Sequence, residues 1–214
     1  MKKLVYGTTL ALAVAFSGCA LAQQKESHLH MDHVLKSWND TPDQKGFLET
    51  SQAEAAIAMT HINLAMAKPG DLDSIKLHAA HVIHALDPSV IAKGPGLGYG
   101  VKKAAAGMVA HIGFAAKAGD ASDNVKLHAM HVSTSTNNVV QWVDEAVALA
   151  QGVDGQSSAE SALAEAKKLR SMLDRIVEGF DANKDGATGW QEGEGGLAQA
   201  GQHMGFMTQG EADI

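Results

Sequence analysis

The octapeptide Ile75-Lys76-Leu77-His78-Ala79-Ala80-His81-Val82 returns fifty positions later as Val125-Lys126-Leu127-His128-Ala129-Met130-His131-Val132. Upstream of each copy stands a matching tripeptide, Thr60-His61-Ile62 and Ala110-His111-Ile112, again fifty apart. Between tripeptide and octapeptide, Lys68-Pro69-Gly70-Asp71 answers Lys117-Ala118-Gly119-Asp120 with a shift of one residue. Apolar residues three and four apart run through both copies, and the Gly-Asp pairs interrupt them as turns do, so each copy reads as an αα-hairpin. Two such hairpins pack naturally as a four-helix bundle with pseudo-twofold symmetry.

Working outward, the fold class is all-α, with no run of alternating β-branched residues. Helices are expected over about 50–67, 72–87, 99–118, 122–150 and 158–180, followed by a tail with a short helix. The domain plan is a polar, His-containing arm (23–48), the duplicated bundle (49–150, repeats about 50–87 and 99–137) and a C-terminal helix-loop-helix (158–210). Residues 1–22 read as a secretory signal: Lys2 and Lys3 lead a short apolar run from Leu4 to Phe16. Two processing patterns stand side by side, Ala20-Leu21-Ala22 for ordinary cleavage and Ser17-Gly18-Cys19 for a lipid-anchored Cys19. Either route makes the protein periplasmic or secreted.

The chain of 214 residues carries a formal net charge of −7, and losing Lys2 and Lys3 with the signal leaves 15 basic against 24 acidic residues. That acidity argues against nucleic acid as a partner. Cys19 is the sole cysteine, which excludes a disulfide within the mature chain, CxxCH haem attachment and thiolate ligation. No later stretch is apolar enough for a transmembrane helix.

The chemistry therefore falls on histidine. His61 and His78 lie eight or nine residues either side of the Gly70 turn, hence at one height, and His111 and His128 repeat this about Gly119. His78 and His81, like His128 and His131, are three apart on a helix, so both rings of a pair can converge on one point. Each hairpin thus offers a triad near the core: His61, His78 and His81, and His111, His128 and His131. Several neutral imidazoles crowded together are costly to bury, and a coordinated cation removes that cost. His84 shares the face of His78 and His81 but has Thr134 at its repeat position; it is read as extending one site or lying at its mouth.

Imidazoles without thiolates suit Zn, Cu, Ni or Fe, with Cu or Zn favoured by the Irving–Williams order. The triads form either two sites or one joint site. Noncovalent haem b, held between His61 and His111 or between His78 and His128, is the alternative cofactor, for electron transfer or sensing. Paired ExxH motifs of a ferritin-type dinuclear site are absent, and no general base stands at motif spacing beside the histidines, so no enzymatic activity is assigned. In the arm, His28, His30 and His33 fit loose metal capture and plain surface polarity equally. His203 stands alone in its pattern and is given no role as a ligand.

Asp181-Ala182-Asn183-Lys184-Asp185-Gly186-Ala187-Thr188-Gly189-Trp190-Gln191-Glu192 matches D-x-[DN]-x-[DN]-G-x5-E at every required position. This loop resembles the EF-hand family. The resemblance implies a Ca2+ site using the side chains of Asp181, Asn183 and Asp185, the carbonyl of Ala187 and a bidentate Glu192. More loosely, the His-rich, Cys-poor, exported helical character of residues 50–150 is similar in type to the small metal-binding helical-bundle proteins of the bacterial periplasm. Together these features point to an exported protein that buffers, stores or delivers a transition metal and also holds calcium.

Overall fold

The computed structural model describes residues 24–211, and within them the protein is all-helical. The expected signal segment 1–22, with the two processing patterns at Cys19 and Ala22, lies outside the described residues. Seven α-helices follow one another: α1 (Glu26–Leu35), α2 (Phe47–Ala67), α3 (Leu72–Leu86), α4 (Val101–Lys117), α5 (Asp123–Asp154), α6 (Ala159–Glu178) and α7 (Leu197–Gln209). None is long and apolar enough to cross a membrane.

The starts of three helices are written in their caps. Asp71 accepts from Ser74 N (2.9 Å) at α3, Ser122 from Val125 N (3.1 Å) at α5, and Ser158 from Ser161 N (3.2 Å) at α6. Each satisfies one of the donors that a helix leaves unpaired in its first turn. At α4 the acceptor comes from a distance. The fully buried Glu54 of α2 takes Leu97 N (3.1 Å), Tyr99 N (3.0 Å) and Gly100 N (2.8 Å), fastening the 87–100 loop and placing negative charge at the helix N-terminus.

Hairpin α2–α3 lies beside hairpin α4–α5, with α2 against α4 and α3 against α5. The 32-residue α5 outruns its partners and serves two apolar clusters. Its C-terminal half, with Val139, Val143, Ala146 and Ala150, packs with α2, α3 and α6. Its N-terminal half, with Val125, Ala129 and Val132, packs with α1, α4 and α7. The polar arm therefore contains a helix, α1, that joins the second cluster through Met31 and Val34.

The linker between α4 and α5 explains how α1 is held. Where Asp71 caps its own helix, the shift of one residue gives that task to Ser122 and frees Asp120. Asp120 instead accepts the first backbone N–H groups of α1, Glu26 N at 2.6 Å and Ser27 N at 3.0 Å. At the other terminus of the described chain, buried Glu211 accepts from His28 Nε2 (2.9 Å) and from Asn124 Nδ2 (3.4 Å) and also pairs with Ser122 and Lys25. One carboxylate thus joins α1, the start of α5 and the end of α7.

Candidate metal centres

Among the described residues three histidine triads form, not two. His61 of α2 meets His78 and His81 of α3, with Nδ1···Nδ1 distances of 3.1 and 3.3 Å. His111 of α4 meets His30 and His33 of α1 at 3.1 and 3.0 Å. His203 of α7 meets His128 and His131 of α5 at 3.1 and 3.3 Å. In every triad the three nitrogens lie within 4.8 Å of one another. We call these centre 1 (His30, His33, His111), centre 2 (His61, His78, His81) and centre 3 (His128, His131, His203).

The architecture repeats in each centre. One helix supplies two histidines three residues apart, and a second helix supplies a lone histidine whose Nδ1 faces both. Three nitrogens tetrahedrally disposed at the ordinary Zn–N bond length of about 2.0–2.1 Å would stand about 3.3 Å apart, close to the distances from each lone histidine to its two partners. Without a cation the contact is frustrated. A neutral imidazole offers one N–H, so a proton on the central Nδ1 satisfies one neighbour and leaves the other lone pair facing it.

Protonation is an unfavourable way out. Burial, followed by the charges of His33 and His30, pushes His111 down to about 4, and burial with His131 and His128 does the same to His203. Burial first, then neighbouring histidines, also lowers His61, His81 and His131. His33 is lowered by burial and His30 against a smaller opposing pull from Asp32. Most of the ligand nitrogens are thereby held in the neutral form a metal requires.

The expected triad of His111 with His128 and His131 is not the one formed. The hairpin turn repeats but its neighbours do not: Asp120 docks α1 along α4, and α7 lies along α5, so each half of the expected set meets an outside helix. The centres are also set to the side of the core. The interior stripe of α2 runs through Ala55, Ala58, Ile62 and Ala65, one position from His61, and the histidines are mostly half-buried.

His84 belongs to no centre. It is buried, bonds Ile91 O through Nδ1 (2.8 Å), and leaves no room for a Cβ at Gly94, so it holds the 87–100 loop. The haem pairings are not assembled either, since His61 and His111 stand in different centres, as do His78 and His128. Rings joined at Nδ1 leave no gap for a macrocycle between them. Conversely, His30, His33 and His203 enter centres that the sequence reading did not give them. The signals are visible in retrospect: His30-Met31-Asp32-His33-Val34 is a third His-x-x-His-Val, and His203-Met204-Gly205-Phe206 echoes His111-Ile112-Gly113-Phe114.

Aromatic rings surround two of the centres. Trp38 lies 4.6 Å from both His33 and His111, and Phe47 stacks on His111 at 5.3 Å. At centre 3, Trp190 stacks on His131 at 4.0 Å. Trp190 is part of the acidic loop, which α5 fixes through Asn138: its side chain reaches Gln191 O, Gly193 N and Gly195 O.

Within that loop, Asp181 accepts Asp185 N (3.2 Å) and Gly186 N (3.0 Å), while Asn183 Oδ1 accepts Asp185 N (2.8 Å). Asp185 accepts Ala187 N (2.9 Å), so three of the predicted ligands are wound together. Glu192 is elsewhere, exposed beside Thr134, Asn137 and Gln141 of α5. The carboxylate that turns into the loop is Glu194, 3% exposed, which accepts Asn183 N (3.3 Å) and Gly189 N (3.1 Å). The grip of Asn138 on both sides of Glu192 accounts for this exchange.

No protein-family model, curated protein or solved structure matches the chain.

Proposed function

We propose that this protein binds transition-metal ions at three tris-imidazole centres and serves outside the cytoplasm to buffer, store or deliver them. The observation that carries the reading is the threefold recurrence of one arrangement, in which a lone Nδ1 stands from the Nδ1 of each of two partners at about the spacing one bound cation sets. A single inward-facing histidine is ordinarily a hydrogen-bonded structural residue. Nine histidines from six helices in the same constellation have no comparable structural explanation, because each triad is short of protons when metal-free.

Several sites on one chain suit a buffer or store, and half-buried ligands suit exchange with solvent. Export is supported by Lys2, Lys3 and the apolar run to Phe16, with Cys19 marking a lipid anchor as one form of the mature protein. Mass spectrometry of the protein recovered from its cells tests this: a chain beginning at Gln23 or at an acylated Cys19 supports export, and an intact Met1 removes it.

Calcium is part of the proposal. Asp181, Asn183, Asp185 and the carbonyl of Ala187 are the ligands the motif supplies, and the buried Glu194 is better placed than Glu192 to close the site. Terbium luminescence sensitised by Trp190 tests this assignment. Glu194→Gln should weaken terbium binding more than Glu192→Gln; the reverse order would restore Glu192, and no binding by the unaltered chain would end the calcium reading.

A further inference from the structure

Ten large apolar side chains are exposed among the described residues, and six of them stand at matched positions around the three centres. Leu29, Leu77 and Leu127 each precede the first histidine of a pair, four residues before the second and so on its helical face. Phe114, Leu64 and Phe206 each follow the lone histidine by three residues on its face. All six are between 42% and 54% exposed. The Phe114 ring is 5.2 Å from His30 and 5.7 Å from His111, and Phe206 is 5.7 Å from His128 and 5.5 Å from His203. A scattered exposed leucine needs no explanation, but the same pair kept in three places at the mouth of an imidazole triad does.

The charges around the centres point the same way. Among the described residues no carboxylate joins any of the three groups; each is composed of imidazoles alone. The acid nearest in sequence, Asp32 in centre 1, is engaged by Lys36 (2.9 Å) and Gln24 (2.9 Å). A divalent ion would carry its full double charge into a mouth lined by apolar side chains, and it calls for a fourth ligand that the triad does not supply. A monovalent ion content with three donors meets neither difficulty.

We infer that the cation these centres are built to hold is monovalent copper, Cu(I), bound by three Nδ1 atoms inside an apolar collar. This rests on the metal-binding reading above and narrows its substrate class. Each of the six collar residues is then a specificity determinant: it raises the cost of positive charge and of hydration at the cation, and it discriminates against Zn(II), Ni(II) and Cu(II).

The test is an anaerobic competition titration of the full Cys19→Ser chain, so that no thiolate competes, using bicinchoninate for Cu(I) and a chromophoric chelator for Zn(II) and Cu(II). The expected result is three Cu(I) per chain, bound more tightly than either divalent ion and three-coordinate by X-ray absorption. Leu77→Asp places a carboxylate on an exposed position of centre 2, where folding is not at stake. A divalent ion feels that charge twice as strongly as a monovalent one, so at about 6 Å and an effective dielectric of about 40 the Zn(II) preference of that centre should rise about tenfold relative to Cu(I). Tighter Zn(II) or Cu(II) than Cu(I) in the parent chain, or no change of preference in Leu77→Asp, would overturn the assignment to Cu(I) while leaving the centres as metal sites. No binding of any of these ions would overturn the metal-binding reading itself.

Discussion

Replacing Glu211 by alanine removes one carboxylate and should disturb two of the three centres. Its oxygens hold His28 of α1 at 2.9 Å, the Ser122 hydroxyl at the start of α5, Asn124 of α5 at 3.4 Å and Lys25 at 3.5 Å, all while the carboxylate itself is buried. Ser122, His28 and Asn124 outweigh its burial and pull it down to about 2. Breaking a buried, hydrogen-bonded charge costs about 3 kcal/mol when its partners are left unsatisfied, which for a chain of this size lowers Tm by about 6–12 °C. Because α1 carries His30 and His33 and α7 carries His203, part of that loss falls on the docking of those helices. About 1 kcal/mol on each weakens centres 1 and 3 about fivefold, and centre 2, internal to α2–α3, is spared. The carboxylate's folded value lies below its usual 4.5, so its contribution is complete above that pH and disappears as pH falls towards 2. Thermal melts of Glu211→Ala at pH 7 and at pH 2.5, with site-resolved metal titrations at pH 7, follow each part. A shift in Tm under about 2 °C at pH 7, or equal weakening of centre 2, would refute the reasoning.

Further outcomes follow from the same geometry. Metal-free protein should lose stability as pH falls from 6.5 to about 4, because unfolded histidines take up protons that folded His111 and His203 refuse; denaturant titrations at pH 7.5 and 5 measure it, and a flat profile contradicts the assigned shifts. For the same reason, protons should compete less for His111 and His203 than for a free imidazole, and metal titrations at stepwise lower pH measure it. Trp190→Ala, which removes the ring stacked on His131, should weaken centre 3 alone, by about two- to thirteenfold for a contact worth about 0.5–1.5 kcal/mol. In that variant Trp38, beside His111, and the core Trp142 remain, so the part of the copper quenching that Trp38→Phe abolishes reports centre 1.

The helices were legible because their ends are chemical. Asp71, Ser122 and Ser158 cap, Pro69-Gly70 and Gly119-Asp120 interrupt, and the observed α3 (72–86) and α5 (123–154) begin within a residue of where those signals put them. Centre 2 was legible for a related reason: its three histidines lie within one hairpin, so turn symmetry and helical periodicity suffice to join them. Centres 1 and 3 were not, because they join helices far apart in the chain. His33 and His111 are 78 positions apart, His131 and His203 are 72. What brings them together is Asp120 capping a helix other than its own and Glu211 bridging α1 and the end of α7, and neither leaves a periodic trace. Glu192 illustrates the same limit on a smaller scale, since the loop motif carries no sign that Asn138 will turn it outward and Glu194 inward.

The central claim is that three equivalent centres each hold one transition-metal ion. Equilibrium dialysis against copper under reducing conditions, with metal and protein counted by mass spectrometry, tests it most directly. The account predicts three ions per chain, and two for each of His61→Ala, His111→Ala and His203→Ala, the variants that remove one lone histidine apiece. A parent chain holding fewer than three, or variants that still hold as many as the parent, would contradict it.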